Sequence, residues 1–228
     1  MKNVDDASDV AVQLPDLTIE AALIDSGYQW VAGADEAGRG CLAGPVVAAA
    51  VILDANVDLA TVRDSKVVPE DERDELASII KQRAAAWAVA FCSPGEIDSL
   101  NILWASMKAM SRAVAELAIR PSYVLADGNH VSPDEMIPWE PVIKGDNRSL
   151  SIAAASILAK VERDRIMREH SVTYPDYGWD TNFGYPTQHH YDALARHGAT
   201  PLHRRSFRLF DTQYDLFTTK PVPPAHED

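Results

Sequence analysis

Apolar residues in this chain fall into short runs and into helical spacing, in an order that reads as alternating strands and helices. Trp30–Ala34 is a short apolar run of strand type. Val46–Leu53 is a continuous apolar run rich in Val and Ala, bounded by Gly44-Pro45 and by Asp54, the pattern of a strand buried on both faces. Trp87–Phe91 alternates as a strand does. Tyr123–Ala126 is a short apolar strand ending at Asp127-Gly128, and Pro141–Ile143 is a further one ending at Lys144-Gly145-Asp146. Helices are expected between and after them. Pro69 opens one, with Glu70, Asp71 and Glu72 where carboxylates meet the positive end of the helix dipole, and with Ile79 and Ile80 on its apolar side. Ser93-Pro94-Gly95-Glu96 begins another helical segment. Ile102–Leu117 places Leu103, Met107, Met110 and Val114 on one face. Helices are also expected over Leu150–Glu169 and over Thr187–His197, the latter stopped by Gly198.

This order is that of an α/β protein, a mixed sheet with helices on both faces. The 228 residues suit one domain with a small appendage. Residues 1–28 are acidic and read as a flexible extension with a short helix near Leu17–Ile24. Residues 29–217 read as the folded domain, and residues 218–228, rich in proline, as a disordered tail. No apolar run is long enough for a membrane span, and the acidic N-terminus lacks the order of a secretory signal. Cys41 and Cys92 are too few for a disulfide framework and read as reduced, partly buried thiols of a cytosolic protein. The net charge of −13 is not that of a generic nucleic-acid binder. Its distribution changes that picture: Lys144–Arg208 carries 10 Lys/Arg against 7 Asp/Glu, a mildly basic third on an acidic body. Charge alone fits a phosphate-binding face or an ordinary solvated surface.

The densest chemistry lies in Gly33-Ala34-Asp35-Glu36-Ala37-Gly38-Arg39-Gly40. An Asp-Glu pair alone reads as a surface turn. Here it ends an apolar strand, and Asp127 and Asp146 also stand at strand ends, where functional groups of such sheets gather. Adjacent strand residues point to opposite faces, so both acids serve one site only where the strand ends or twists. Gathered carboxylates repel one another unless a cation joins them, and oxygen-only ligands select Mg²⁺ or Mn²⁺. Paired ions of this kind suit phosphodiester hydrolysis. There is no Walker A sequence, no Gly-x-Ser-x-Gly and no zinc-spaced Cys/His pair, His189-His190 included.

Seven segments in order resemble bacterial ribonuclease HII, the type 2 ribonucleases H. They are GADEAGRGCLAGPVVAAAV at 33–51, DSK at 64–66, ADGN at 126–129, KGD at 144–146, SIAAASILAKVERD at 151–164, GYPT at 184–187 and HGATPLHRRSF at 197–207. The resemblance covers about Trp30 to Phe210. It implies a ribonuclease H-like fold, with a central mixed five-stranded sheet flanked by helices and a C-terminal helical extension. It also implies four catalytic, metal-binding carboxylates, which fall on Asp35, Glu36, Asp127 and Asp146, with Mn²⁺ or Mg²⁺ in a two-ion site. The implied activity is endonucleolytic: hydrolysis of RNA in RNA–DNA hybrids and nicking 5′ to single ribonucleotides in duplex DNA, leaving a 3′-hydroxyl and a 5′-phosphate. Gly38-Arg39-Gly40 resembles the family's reader of the ribose 2′-hydroxyl, and Tyr185 the tyrosine that packs on the following sugar. Lys66, Ser156, Lys160 and Arg163 become candidate substrate contacts, the last three sharing a helix face. A solvated flank with a Lys160–Asp164 pair is the bland alternative there. Arg204 and Arg205 read by default as structural salt-bridge partners.

The implied partners are RNA–DNA hybrids and ribonucleotide-containing duplexes, without a membrane, for a monomer. Gln213–Phe217 only loosely resembles a sliding-clamp docking peptide, and a core helix is the competing reading. A DNA-directed nuclease of the same fold, a non-catalytic binding module and a tail-mediated interaction protein are the rivals. The Gly-Arg-Gly loop, the complete set of acids and the absence of any positive sign in the tails weigh against each in turn.

Overall fold

The computed structural model describes residues 14–54, 57, 70–130 and 136–210. Five strands form one mixed sheet: β1 (Val31–Ala37), β2 (Val46–Ile52), β3 (Ala86–Cys92), β4 (Tyr123–Asp127) and β5 (Trp139–Val142). Their spatial order is β3-β2-β1-β4-β5. The β1–β2 and β2–β3 pairs are antiparallel, and the β1–β4 and β4–β5 pairs are parallel. The helices are α1 (Thr18–Asp25), α2 (Glu70–Arg83), α3 (Pro94–Leu100), α4 (Ile102–Ala115), α5 (Leu150–Thr173), α6 (Trp179–Asn182) and α7 (Gln188–His197). The expected mixed five-stranded sheet with flanking helices is thus present. No helix among the described residues is long and apolar enough to cross a membrane.

The sheet separates two cores. On one face Ala48, Ala50 and Ile52 of β2 meet Ala109, Met110 and Ala113 of α4. On the other, Ala49 and Val51 meet α2 through Leu76 and Ile80, and α5 through Ala153, Ala154 and Ile157. β2 is buried at every position, as its unbroken apolar run implies. Capping sets the helix starts. Ser93 forms a capping box with Glu96 at α3, and the Ser149 side chain accepts from the Ile152 amide at α5.

The first ten residues of α5, 150–159, are all buried, which the sequence pattern of small residues allows, and Lys160 is the first to reach partial exposure. That helix lies so close to β1 that Gly33 has no room for a side chain. A Cβ there would sit 2.2 Å from the Ser151 carbonyl carbon and 2.3 Å from the Ile152 nitrogen. The approach matters for function, because it sets the helix face bearing Ser156 and Lys160 against the end of β1.

Several boundaries differ from the sequence reading. β3 alternates as expected, but its alanines face the core while Trp87 and Phe91 face out; the alanines leave room for the α4 backbone. The β5 strand is Trp139–Val142, and Ile143 is exposed. α5 continues four residues beyond Glu169, to Thr173. Of the expected extension 1–28, residues 14–28 are described and hold the expected short helix, α1. α1 within them is docked by Glu20, which is buried and accepts from Ser149 Oγ at 2.6 Å, from the Ser151 amide at 3.0 Å and from the Ser151 hydroxyl. Acid composition hides such an anchor, since only the fold shows that one acid turns inward. The C-terminal elements gather around buried Trp179, Tyr177 and Leu194 as a small helical unit. The expected tail at 218–228 lies outside the described residues.

Gly33→Ala is expected to lower the unfolding free energy by at least about 2 kcal/mol, because backbone rather than a flexible side chain stands in the way. Urea unfolding measures it. A loss below about 0.5 kcal/mol would mean that β1 and α5 can part without cost.

Candidate active site

The site begins with a register. β1 and β4 run parallel, with Ala34 opposite Ala126 as the last pair. The next residues, Asp35 and Asp127, therefore leave two neighbouring strands at the same end of the sheet. β1 continues beyond that point only against β2, with Asp35 opposite Ala49 and Glu36 opposite Ala48. The strand-end acids expected from the sequence thus meet where β1 keeps one neighbour and loses the other. They line a cleft of about 500 Å³ together with Gly38, Arg39, Gly40, Ser156, Lys160 and Tyr185.

Asp35 is 5% exposed. Its Oδ1 accepts from the Glu36 amide at 2.7 Å, and Ser156 is a side-chain hydrogen-bond partner. Burial, then the charges of Glu36 and Asp127, push its carboxyl well above the usual range. Burial also pushes Glu36 up, against the opposing pull of Arg39, whose Nη1 lies 2.9 Å from Glu36 Oε1. Glu36 Oε2 is buried without a hydrogen-bond partner. Asp127 Oδ1 accepts from the Gly145 amide at 2.7 Å. The structure brings these three acids together. Asp146 does not line the cleft: it is buried in the 3₁₀ turn Gly145–Asn147, beside the amide that holds Asp127, and accepts from Asn147 Nδ2 at 3.2 Å.

Among the described residues no three His, Cys, Asp or Glu side chains converge into a closed ligand set. The donor chemistry nonetheless fits a hard divalent cation. Three mutually repelling carboxylates face one cleft, and one of their oxygens is buried with no other partner. Asp35, Glu36 and Asp127 are the side chains that would hold such an ion.

The other expected contacts divide. Ser156 lines the cleft. Lys160 does too, while its Nζ lies 2.6 Å from Asp164 Oδ1 and 4.8 Å from the Phe183 ring, so the intrahelical pair and the cleft position coexist. Tyr185 is 39% exposed in the cleft wall, not a core tyrosine. Arg163 corrects the helix-face expectation. It is fully buried and donates to Pro45 O at 3.1 Å, Phe183 O at 2.9 Å and Ala43 O at 3.1 Å, so it does not reach a phosphate. Arg204 is also fully buried; it takes four carbonyl partners where a salt bridge was expected. The Arg205 amide and the Ser206 amide both donate to Asp98. Lys66 lies outside the described residues.

Sequence reasoning missed Arg73 of α2, which lines the cleft and stands 3.6 Å from Asp164. It sits in a strongly acidic helix, and no spacing signals its direction. Also missed was a buried chain behind Tyr185. His203 Nδ1 accepts from the Thr200 amide at 2.9 Å, which leaves the proton on Nε2. Its Nε2 then faces His190 Nε2 at 3.0 Å, to which Trp179 Nε1 also donates at 3.2 Å. His190 Nδ1 donates to Tyr185 O at 3.0 Å. Burial and the neighbouring His190 push His203 down to about 4.

Over most of its length the chain is similar to known proteins of one family. The ribonuclease HII family model matches residues 32–210. Ribonuclease HII of Salinibacter ruber is 53% identical over 197 residues, covering 85% of this chain and 98% of that relative. Among solved structures, the PCNA:RNase HII complex from Archaeoglobus fulgidus aligns with TM-score 0.68 at 26% identity, over 83% of this chain and 100% of that one. The ribonuclease H2 from Pyrococcus horikoshii OT3 aligns with TM-score 0.66 at 26% identity, over 79% and 95%.

Two outcomes are expected from the site. Mg²⁺ or Mn²⁺ should raise the thermal midpoint of the parent, because an ion bound by the folded state alone stabilises it. Asp35→Asn and Asp127→Asn should lose that rise; equal rises in all three proteins would remove the acids as ligands. The second concerns His203. Its folded value, about 4, lies below the unfolded 6.5, so the unfolded state binds the proton first. Stability should therefore fall as pH drops from 6.5 towards 4, by on the order of 2 kcal/mol from this group. Parallel stability–pH curves for the parent and His203→Asn over that window would contradict it.

Proposed function

The chain belongs to the ribonuclease HII family, and on that premise we propose how its cleft selects and cuts its substrate. It is a ribonuclease H, a nuclease acting on RNA–DNA hybrids. The finer reading is that it nicks duplex DNA 5′ to a single embedded ribonucleotide and thereby serves ribonucleotide removal as well as primer removal. One observation carries that reading: the acid cluster and the Gly38-Arg39-Gly40 loop form one continuous wall of the same cleft, so the bond to be cut and the sugar to be recognised are held a few residues apart.

Water adds to the phosphorus, the bond to the upstream O3′ breaks, and the products are a 3′-hydroxyl and a 5′-phosphate. When bound, a pair of Mg²⁺ or Mn²⁺ ions supplies an activated water and neutralises charge at the leaving oxygen. The chain's own residues do the rest. Asp35, Glu36 and Asp127 bring the negative charge that draws cations to this end of the sheet. Asp146, the fourth acid, supports the set from behind, through the turn whose Gly145 amide holds Asp127. The loop amides read the 2′-hydroxyl, and Tyr185 stacks on the sugar that follows, favouring deoxyribose there. Lys160 and Arg73 line the same cleft as cations beside the phosphate path.

PCNA is bound in the Archaeoglobus fulgidus complex, which supports a sliding clamp as a partner class. The loosely matching segment Gln213–Phe217 lies outside the described residues.

The deciding measurement compares an all-DNA duplex with the same duplex holding one ribonucleotide. The parent should cut only the second, 5′ to the ribonucleotide. Asp127→Asn should lose roughly 10²–10³-fold or more in kcat, and Tyr185→Ala should weaken cleavage of this substrate more than of a long hybrid. Cutting of the all-DNA duplex at a comparable rate would sink the reading.

A further inference from the structure

The Gly38-Arg39-Gly40 loop lies on a floor of two buried arginines. Arg204 Nη2 donates to Gly38 O at 2.7 Å and to Pro45 O at 3.1 Å, its Nη1 to Arg39 O at 2.9 Å, and its Nε to Gly44 O at 3.0 Å. Arg163 lies beside it. A Cβ on Gly38, whose φ is +93°, would stand 1.9 Å from Arg163 Nε, so the loop rests directly on that guanidinium. Both arginines are fully buried, and none of the ion pairs among the described residues includes either. Two charges in the interior are held there by main-chain carbonyls, with the Phe207 ring 5.1 Å from the Arg204 guanidinium and the Tyr185 ring 5.8 Å from that of Arg163.

The consequence follows from peptide geometry. In a trans peptide the C=O and the N–H point in opposite directions. Arg204 draws the Gly38 and Arg39 carbonyls inward, so the amides of the same two peptide units, on Arg39 and Gly40, turn outward. Arg39 and Gly40 are exposed and line the cleft, and neither amide has an acceptor among the described residues. Two adjacent donors facing one cleft form a site for an acceptor oxygen. The planar fork of arginine can hold two successive carbonyls at once, which a lysine ammonium at a single point cannot do in the same geometry.

We propose that Arg204, with Arg163 beneath the loop, is a positioning residue that aims the Arg39 and Gly40 amides at the ribose 2′-hydroxyl. Discrimination between ribose and deoxyribose is then set in part by two buried side chains that do not themselves touch the substrate. Burial pushes Arg204 down to about 10, which keeps the fork charged at neutral pH. The proposal rests on the reading of this loop given under Proposed function.

The test is equilibrium binding without divalent ions, so that nothing is cut. The probes are one duplex with a single ribonucleotide and the same sequence in all DNA, with thermal melting run alongside. The parent should favour the ribonucleotide duplex. Arg204→Lys, which keeps the charge and loses the fork, should reduce that preference by about tenfold, or 1.4 kcal/mol, while its affinity for all-DNA duplex stays within about twofold. Arg163→Lys is read in the same way and serves if Arg204→Lys does not fold at the assay temperature. A parent without preference overturns the loop's assignment as reader, and the proposal with it. A parent with preference, matched by an unaltered preference in the folded lysine variant, overturns the proposal alone. Parallel loss of affinity for both duplexes, or failure of both variants to fold, assigns the arginines to the core and overturns it as well.

Discussion

Parallel pairing of β1 with β4 is the constraint on which this molecule's chemistry depends. It places Asp35 and Asp127 at the ends of adjacent strands, and the continuation of β1 against β2 adds Glu36. Three carboxylates are then held close enough for their charges to interact, with Asp35 almost wholly out of water. Such an arrangement is unfavourable by itself, because each charge raises the cost of the others and burial raises it further. A divalent cation held among them would turn that cost into affinity. The large apolar cores on both faces of the sheet supply the stability that keeps the acids in place before any cation arrives.

Around this point the loop proposed to read the ribose stands on a separate mechanical support. The acids stand on strand ends and the loop stands on buried guanidinium groups. The two share a stretch of six residues, Asp35 to Gly40, and so cannot move far apart. α5 joins them. Its small residues let it approach β1 at Gly33, which sets Ser156 beside Asp35, and one and two turns further along come Lys160 in the cleft wall and Arg163 beneath the loop. The hydrogen-bonded chain through His203 and His190 does for the Tyr185 backbone what the arginines do for the loop. In each case a polar group of the C-terminal unit fixes a piece of main chain in the cleft wall.

Charge placement follows the same logic. The protein as a whole is acidic, with a net charge of −13, and repels a polyanion at long range. Cations are instead concentrated around the cleft in Arg39, Arg73 and Lys160. Arg39 is tied to Glu36 and Lys160 to Asp164, so their positions are set as well as their charges.

Much of this was legible in the linear chain. The five strands and the main helices follow from apolar spacing, caps and breakers, since those depend on local periodicity and on which backbone conformations Gly and Pro allow. The family follows from seven ordered motifs, and the three cleft acids from their positions at strand ends. What the chain could not disclose is direction. Ser156, Lys160 and Arg163 share one helix face by spacing, yet two reach the cleft and the third is buried against the carbonyls of Pro45 and Ala43, 118 and 120 positions away along the chain. Glu20 reads as one acid among many in an acidic leader, and only the packing of α1 turns it inward onto Ser149 and Ser151. Arg73 enters the cleft from an acidic helix that has no motif. Asp35 and Glu36 were identifiable as residues, but their shared cleft depends on which strand lies beside β1. Periodicity determines the elements because it is a property of neighbouring residues; the sides they present, and the groups they meet, are decided by contacts between residues distant in sequence, which exist only once the sheet has formed.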